Sequence, residues 1–301
     1  MTHPDGLVIH TTDRGEGPIF ERFFAGYDRA FVLADEKEDI EGFRACLALN
    51  HGAAHERLTM EYGPFRELCL VADDGEGRPV GGVNLIAMPS SAAPSFITAN
   101  LNYIYIEPES RGRGHLARLA AAARRAATAL FNTQACPVLL FIEQNDPFKM
   151  AEDDYVRDTD FTGLDQFDRL KIWARRGAMA IDFAYVQPAL SADQAPDHNL
   201  LMSVLGANGT RLDAALLAGH LRSFFGISVL KGTPMRKDVC ATGQLEALQN
   251  LASAHISIPL FDTASLLNRL ATRDALVASI GRRPASMRDA FSCLENLTHR
   301  R

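Results

Sequence analysis

The chain has 301 residues, of which 47% are hydrophobic and 23% charged, a composition typical of globular proteins and unlike that of disordered ones. The formal net charge of −6 argues against nucleic acid as a partner, because binding to a phosphate backbone requires a concentrated basic surface. No run of roughly 18 apolar residues occurs and the N-terminal sequence has no secretory pattern, so neither a membrane partner nor export is expected. The five scattered cysteines form no CxxC pair, which predicts no disulfide or metal site and favours a cytoplasmic location.

The first third of the chain predicts helices followed by strands. A short strand is expected at residues 7–10, a helix at 20–33 and a long helix at 39–60, which Gly63 and Pro64 would end. Apolar segments at 67–72 and 79–88, separated by a turn of Asp and Gly residues, predict a hairpin. Residues 96–107 are rich in β-forming side chains, with Leu101, Tyr103 and Tyr105 at alternate positions, so they predict a further strand.

A glycine–arginine loop, Arg111 to Gly114, separates that strand from an alanine-rich helix expected at 116–131. Glycines allow a ligand to approach the backbone closely, and free N–H groups at a helix N-terminus attract anions. Residues 110–142 contain no Asp or Glu but contain five arginines, namely Arg111, Arg113, Arg118, Arg124 and Arg125. These features indicate a site for a phosphorylated nucleotide, although a plain loop-to-helix junction with solvated arginines would have the same sequence.

The remainder predicts a buried strand at 138–142, an irregular acidic stretch at 145–168 and a helix at 167–176 capped by Gly177. A hairpin of strands 179–186 and 200–205 follows, and then helices at 211–225, 243–255 and 263–280 before a polar, partly mobile tail. We therefore expect one domain over residues 1–206 and a mostly helical extension over 207–301. The extension would serve as a lid over the site or as the interface of a homodimer.

Six consecutive residues of the loop resemble the acyl-CoA-binding signature of the GNAT N-acetyltransferase superfamily: Arg111, Gly112, Arg113, Gly114, His115 and Leu116. Leu116 departs from the pattern, which has Gly or Ala at that position. The order of predicted elements over residues 8–206 also resembles the GNAT fold, an α/β architecture with a mixed sheet flanked by helices. The resemblance implies acetyl-CoA or another acyl-CoA as co-substrate, bound by these six residues. It further implies that the backbone of Ile104, Tyr105 and Ile106 and the side chain of Asn145 contact the pantetheine arm.

The resemblance also implies direct transfer of the acyl group to an amine in a ternary complex. Such a reaction needs a base for the amine and a proton for the leaving thiolate. Glu143 is the candidate base, with a solvated carboxylate at the strand end as the plain alternative. Glu107 is a weaker candidate, since it could simply pair with Arg111 or Arg113. Trp173 stands where the family often has a catalytic tyrosine, and an indole N–H is no acid. The candidate acid is therefore Tyr185, or else Tyr155, unless the thiolate leaves with solvent assistance; a core position is the favoured interpretation of Tyr185.

Eight acidic residues lie in the irregular stretch: Asp146, Glu152, Asp153, Asp154, Asp158, Asp160, Asp165 and Asp168. Their potential would favour a cationic small-molecule amine, while a solvated loop is the plainer interpretation. Two other functions remain open: acetylation of a protein lysine or N-terminus, and acyl-CoA binding without catalysis in a regulatory module. His51 and His55 have zinc-compatible spacing, but without a third ligand nearby they predict a surface pair and no metal site.

Overall fold

The computed structural model describes residues 6–31, 37–92, 96–131, 136–191, 193–268 and 270–298. Its strands are β1 (Val8–Thr12), β2 (Arg66–Asp73), β3 (Pro79–Pro89), β4 (Ile97–Ile106), β5 (Val138–Asn145), β6 (Met179–Ile181), β7 (Leu200–Leu205), β8 (Arg211–Leu212) and β9 (Ile258–Phe261). Its helices are α1 (Pro18–Ala30), α2 (Ile40–Ala48), α3 (Gly52–Tyr62), α4 (His115–Leu130), α5 (Glu152–Thr162), α6 (Gln166–Ala174), α7 (Ala214–Phe224), α8 (Val239–Ser253), α9 (Thr263–Leu267), α10 (Arg273–Ile280) and α11 (Met287–Thr298). In this described part of the chain, no helix combines the length and apolarity needed to cross a membrane.

The strands form one mixed sheet in the order β1-β2-β3-β4-β5-β7-β6-β9-β8. Strands β4 and β5 run parallel, whereas the other neighbouring strands of the sheet pair antiparallel. Helix α4 covers one face, where Leu119 and Ala123 pack against apolar residues of β3, β4 and β5. The opposite face is covered by the aromatic side chains of α1 and α2 at one end and by α7 at the other. The predicted mixed sheet flanked by helices is confirmed.

The helix predicted at residues 39–60 is wrong in its continuity, because the chain forms α2 and α3 with a break between them. Asn50, which is 2% exposed, lies in this break. Its side chain accepts a hydrogen bond from the Glu67 backbone N–H and donates to the Glu67 carbonyl, at 2.9 Å each. Gly52 has φ +62°, a conformation that interrupts a helix. The predicted end of the preceding helix at Leu33 lies outside the described residues.

The acidic stretch predicted to be irregular is in part helical. Strand β5 continues to Asn145, and α5 then begins with three acids in its first turn, Glu152, Asp153 and Asp154. Negative side chains are favourable at this end of a helix because of the helix dipole. Gly163, with φ +64°, ends α5. The many acidic residues suggested a loop, whereas three of them lie in the first turn of a helix and stabilise it.

The C-terminal extension is mostly helical, as predicted, but it also adds strands β8 and β9 to the sheet. Strand β9 pairs with β6, where Phe261 lies opposite Ala180. The tail predicted to be polar and mobile instead forms α11, in which Phe291 is fully buried. The domain boundary after residue 206 stays a prediction. The core is continuous across it, since Phe141 of β5 and Leu221 of α7 belong to one cluster.

Candidate active site

Strands β4 and β5 separate halfway along their length. They are paired from Ile97 and Val138 up to Leu101 and Ile142, and no pairing between the two is recorded beyond that point among the described residues. Both strands nevertheless continue, β4 along β3 to Ile106 and β5 along β7 to Asn145. The facing backbone edges are thus left open to an extended ligand, which could add hydrogen bonds as a further strand does.

The glycine–arginine loop lies at the end of the opened β4 strand. Gly112 and Gly114 have φ values of +74° and +76°, which other residues rarely adopt. Gly114 is the N-cap of α4 and makes no side-chain cap, so the N–H groups of the first turn have no partner within the helix. The loop therefore has the backbone geometry of an anion site.

An outer cavity of 590 Å³ lies between this loop and helices α5 and α6. This volume falls within the range of about 300–1,000 Å³ that is usual for small-molecule sites. Its lining includes Ile104, Tyr105, Ile106, Arg111, Gly112, Gly114, His115 and Leu116. Trp173 of α6 forms part of the opposite wall. The structure thus gathers eight of the ten residues predicted to bind acyl-CoA around one space.

Side chains of the loop differ in what they contact. Arg111 donates to the Thr162 carbonyl at 2.6 Å and to the Ile106 carbonyl at 3.3 Å, so it joins the end of α5 to the end of β4. Arg113 is exposed and is absent from the cavity lining. Burial, reinforced by Arg118 and Arg113, lowers the pKa of His115. The Tyr105 hydroxyl donates to the Phe23 carbonyl at 3.1 Å, so this side chain packs inward while its backbone faces the opening.

An inner cavity of 110 Å³ lies further along the same strands and shares Phe31 with the outer one. Asn145, predicted to contact the pantetheine arm, lines this inner cavity together with Glu143. Four carboxyl groups belong to its wall, from Glu38, Glu67, Glu143 and Asp197. The extension contributes Phe224, Ser228 and Val229. The inner cavity is therefore acidic and is partly closed by residues beyond 206.

Glu143 is held by one donor at each carboxylate oxygen. The Tyr185 hydroxyl donates to Oε1, and the Asn100 amide donates to Oε2 at 3.1 Å. Loss of solvation raises the pKa of Glu143 to about 7, against the opposing effect of these two hydrogen bonds. Burial, and next to it the neighbouring Glu143, raises the pKa of Tyr185 well above its usual value. The two predicted catalytic side chains are therefore in direct contact, with Tyr185 as a donor to the base.

A row of buried amides connects Glu143 to a second carboxyl group across four neighbouring strands. Asn100 donates to Asn102 at 3.0 Å, Asn102 to Asn84 at 2.9 Å, and Asn84 to Glu67 at 3.1 Å. Asn84 pairs with Tyr103 and Leu85 with Leu101, so Asn102 is the extra residue of a β-bulge. Asn102 shares its face of the sheet with Asn100, two residues before it, and the bulge leaves Asn102 beside Asn84 without a Cα partner on β3. Ser228 of the extension completes the row by donating to Glu67 at 2.7 Å.

Several other residues singled out from the sequence have partners within the fold. Glu107, the weaker candidate base, forms an ion pair with Arg29 at 2.9 Å. The Tyr155 hydroxyl donates to Asp165 at 2.5 Å, and Tyr155 lines neither cavity. His51 and His55 approach the backbone carbonyls of Asp13 and Leu49.

Most of the eight acidic residues that were expected to attract a cationic amine also have partners within the fold. Asp146 accepts from the Met287 backbone N–H, and Asp165 caps α6. Four others form ion pairs: Glu152 with Arg273, Asp154 with Arg157, Asp158 with Arg169, and Asp168 with Lys171. These contacts favour the structural interpretation of the stretch, and the acidic wall of the inner cavity comes from other residues.

The polar row was missed by sequence reasoning, although a signal was present. Asn84, Asn100 and Glu67 interrupt otherwise apolar strands, and all three are at most 1% exposed. A polar residue inside an apolar strand needs a partner when it is buried, and several such residues on adjacent strands predict a network.

No family model matches the chain, and no curated protein matches it. Solved structures with some similarity are acetyltransferases. One, assigned to the GNAT family and from Desulfovibrio desulfuricans, is 12% identical, with 66% of this chain and 98% of that chain covered and a TM-score of 0.35. An aminoglycoside acetyltransferase in complex with sisomicin, from an uncultured soil metagenomic sample, is 17% identical over 52% of this chain and 88% of its own, with a TM-score of 0.33. A dodecameric spermidine N-acetyltransferase from Vibrio cholerae is 13% identical over 67% and 94%, with a TM-score of 0.32.

The first of these structures carries the family name that the glycine–arginine loop suggests. At TM-scores of this size the similarities have no weight for function, which is inferred from the geometry of the chain itself.

Proposed function

We propose that this protein is an N-acyltransferase of the GNAT type, which transfers an acyl group, acetyl in the simplest case, from acyl-CoA to a small-molecule amine. The observation that carries the proposal is the opening between β4 and β5. It connects an anion-binding loop at one end with a partly buried carboxylate, Glu143, at the other. A nucleotide thioester has this same layout, with phosphates at one end and a reactive carbonyl at the other.

The chain offers binding groups for the pyrophosphate and the pantetheine arm of acyl-CoA. The N–H groups of the loop from Gly112 to Leu116 would hold the pyrophosphate. The open backbone edge at Ile104, Tyr105 and Ile106 would pair with the amides of the pantetheine arm, and Asn145 would contact its far end. The thioester supplies an activated acyl group when it is bound. Leu116 is larger than the Gly or Ala of the family pattern. It lines the outer cavity without filling it.

Glu143 is placed to accept a proton from the attacking amine. A general base works best when its pKa lies near the working pH, and the pKa of Glu143 is about 7. Tyr185 orients the carboxylate through Oε1. The second role proposed for Tyr185, to supply a proton to the leaving thiolate, has less support, because Tyr185 is 2% exposed, lines neither cavity and donates its hydroxyl proton to Glu143.

The inner cavity favours a small, cationic acceptor. Its wall contains four carboxyl groups, and residues of the extension close part of it. One of these carboxyl groups, Glu38, is paired with Lys231 at 2.7 Å. A partly closed space of 110 Å³ with the other three carboxyl groups in its wall would suit a compact amine better than a protein lysine or N-terminus. The extension would then act as a lid. The cytoplasmic location and the homodimer stay predictions.

The cofactor part of the proposal can be tested by calorimetric titration with acetyl-CoA and free CoA. We expect saturable binding of both, weakened at least tenfold by Gly114→Val, because a β-branched residue cannot keep φ +76° and the loop must change shape. Gly281→Val is the matched control, since Gly281 has φ +81°, similarly open surroundings and a place at the end of α10. Equal binding by wild type and Gly114→Val would contradict the assignment of the loop.

A further inference from the structure

We infer that His220, a residue of the C-terminal extension, is a positioning residue for Glu143 and acts through Asn100. The inference rests on the proposed function, in which Glu143 is the base. It gives the extension a task beyond covering the cavity, because one of its side chains would set the orientation and the proton affinity of the base.

The position of His220 is tightly defined. The residue is 2% exposed, and its ring stacks on Phe141 with 3.9 Å between centroids and 17° between planes. Phe224 lies on the same helix with its ring 6.1 Å away. The His220 Nε2 atom lies 3.3 Å from the Asn100 side-chain oxygen. Aromatic surroundings of this kind favour a neutral imidazole, and burial accordingly lowers the pKa of His220 to about 3.

The hydrogen bonds of Asn100 fix which nitrogen of His220 carries the proton. The Asn100 amide nitrogen donates to Asn102 and to Glu143, so the oxygen of Asn100 faces His220 and needs a donor. Nε2 must therefore be protonated, which leaves Nδ1 as the bare nitrogen. Nδ1 is buried and has no hydrogen-bond partner among the described residues, as this tautomer allows.

His220 is thus the donor at the head of the amide row. The amide nitrogens at its two ends donate to carboxyl groups, Asn100 to Glu143 and Asn84 to Glu67, and the amide of Asn102 links the two. Asn100 has no exposed surface, so its oxygen cannot turn to solvent if the donor is lost. A flipped amide would present that oxygen to Glu143, which could donate a hydrogen bond to it only when protonated. The carboxylate would lose a donor, and its pKa would rise.

The groups around the pair show which titrations could interfere. Glu143 faces the hydroxyl of Tyr185 and feels the charge of Asp197. The pKa of the half-buried Tyr103 is raised first by loss of solvation, and Glu143 is the smallest of the further causes. Cys240 lies close enough to influence Tyr185. The rings that border His220 are those of Phe141 and Phe224, which carry no charge. A shift that follows a change at His220 alone is therefore attributable to the hydrogen bond with Asn100.

The test compares His220→Phe, which keeps the stacked ring and removes the donor, with His220→Gln, which keeps an amide donor. With an accepted amine, His220→Phe should lower kcat about 10- to 100-fold through misplacement of the base, with an unchanged KM for acetyl-CoA. The acidic limb of the pH profile of kcat/KM should move to higher pH in His220→Phe and stay in place in His220→Gln. Ser223→Ala, a buried change on the same helix, is the control and should leave the limb unchanged. Equal limbs in wild type and His220→Phe would overturn the inference.

A second readout does not depend on turnover. In carbon-13 NMR titrations of glutamate carboxyl groups, Glu143 is identified by the signal missing in Glu143→Gln. The titration midpoint of this signal should lie at higher pH in His220→Phe than in wild type. An equal midpoint would contradict the proposed action of His220 on Glu143 through Asn100. If the wild-type protein acetylates no amine, the proposed function fails, while the titration still decides whether His220 acts on Glu143.

Discussion

Glu143 and Glu67 end the same row of amides, and burial raises the pKa of each to about 7, yet their surroundings differ. Glu143 lies on β5 beyond the last pair that this strand forms with β4, at the edge of the opening. Glu67 lies on β2, where Ser228 and Asn84 donate to it and only 1% of the residue is exposed. We therefore propose Glu143 as the base and regard Glu67 as part of the polar wall of the inner cavity.

Replacement of Glu143 by Gln should lower kcat by about 10²- to 10⁴-fold, the usual contribution of a general base. The KM for acetyl-CoA should change little, because the loop and β4 bind that substrate. Steady-state kinetics with one accepted amine would measure both constants. Glu107→Gln is the control, since Glu107 is paired with Arg29, and a comparable loss there would move the base to Glu107.

Replacement of Glu67 by Gln should stabilise the protein above neutral pH. A carboxyl group whose pKa rises from 4.5 to about 7 on folding contributes stability below pH 4.5, and this contribution is lost as the pH passes 7. Gln stays neutral, so the free energy of unfolding should rise by up to about 3 kcal/mol at pH 8 and change little at pH 5. Urea denaturation at the two pH values measures this difference.

The control for this experiment is Glu76→Gln in the exposed β2–β3 turn, where the side chain is 73% accessible. Its effect should stay within about 0.5 kcal/mol at both pH values. A gain for Glu67→Gln that is the same at pH 5 and pH 8 would show that the carboxyl group is not desolvated.

At the scale of elements, helices and strands with a regular apolar pattern were predicted correctly, whereas a highly charged segment was wrongly predicted to be irregular. The strand–loop–helix unit around Arg111 to Leu116 was predicted correctly because β-formers, glycines and an alanine-rich face follow one another without conflict. Helix α5 was missed because its acids look like a solvated loop when their partners, such as Arg273, lie far along the chain. The break between α2 and α3 depends on Asn50, whose contacts with β2 no local pattern reveals.

Helix α11 offers a direct test at this scale, since its sequence suggested a mobile tail. Phe291 is fully buried and lies 5.4 Å from Phe261 of β9 between ring centroids. Phe291→Ala should therefore lower the free energy of unfolding by about 3–5 kcal/mol. Leu297 of the same helix is 43% exposed, so Leu297→Ala should cost much less. Thermal unfolding of both variants gives the comparison, and two neutral substitutions would mean that α11 does not pack on the sheet.

At the scale of the whole molecule, the extension is part of the core and part of the candidate site. Helix α7 supplies Leu217 and Leu221 to the cluster around Phe141, and it carries His220. From the sequence, the extension could be either a lid over the site or the interface of a homodimer. The contacts that decide its relation to the cavity, such as Ser228 with Glu67, join residues 161 positions apart.

A chain that ends at residue 206 should therefore fail to fold stably. It would expose the apolar face of β5 and β7, which includes Phe141, Met202 and Val204. We expect aggregation or a non-cooperative thermal transition for this fragment, measured by circular dichroism and size-exclusion chromatography. A soluble fragment with a cooperative transition would show that residues 1–206 form an independent domain.

The central claim is acyl transfer to an amine, and release of free CoA measures it most directly. Purified protein with acetyl-CoA would be tested against a panel of small cationic and neutral amines, with thiol detection and mass spectrometry of the products. The account predicts that CoA release depends on the amine, is accompanied by a monoacetylated product, and is nearly abolished in Glu143→Gln. Saturable acetyl-CoA binding without amine-dependent release, for any amine tested, would contradict catalysis and favour a module that only binds acyl-CoA.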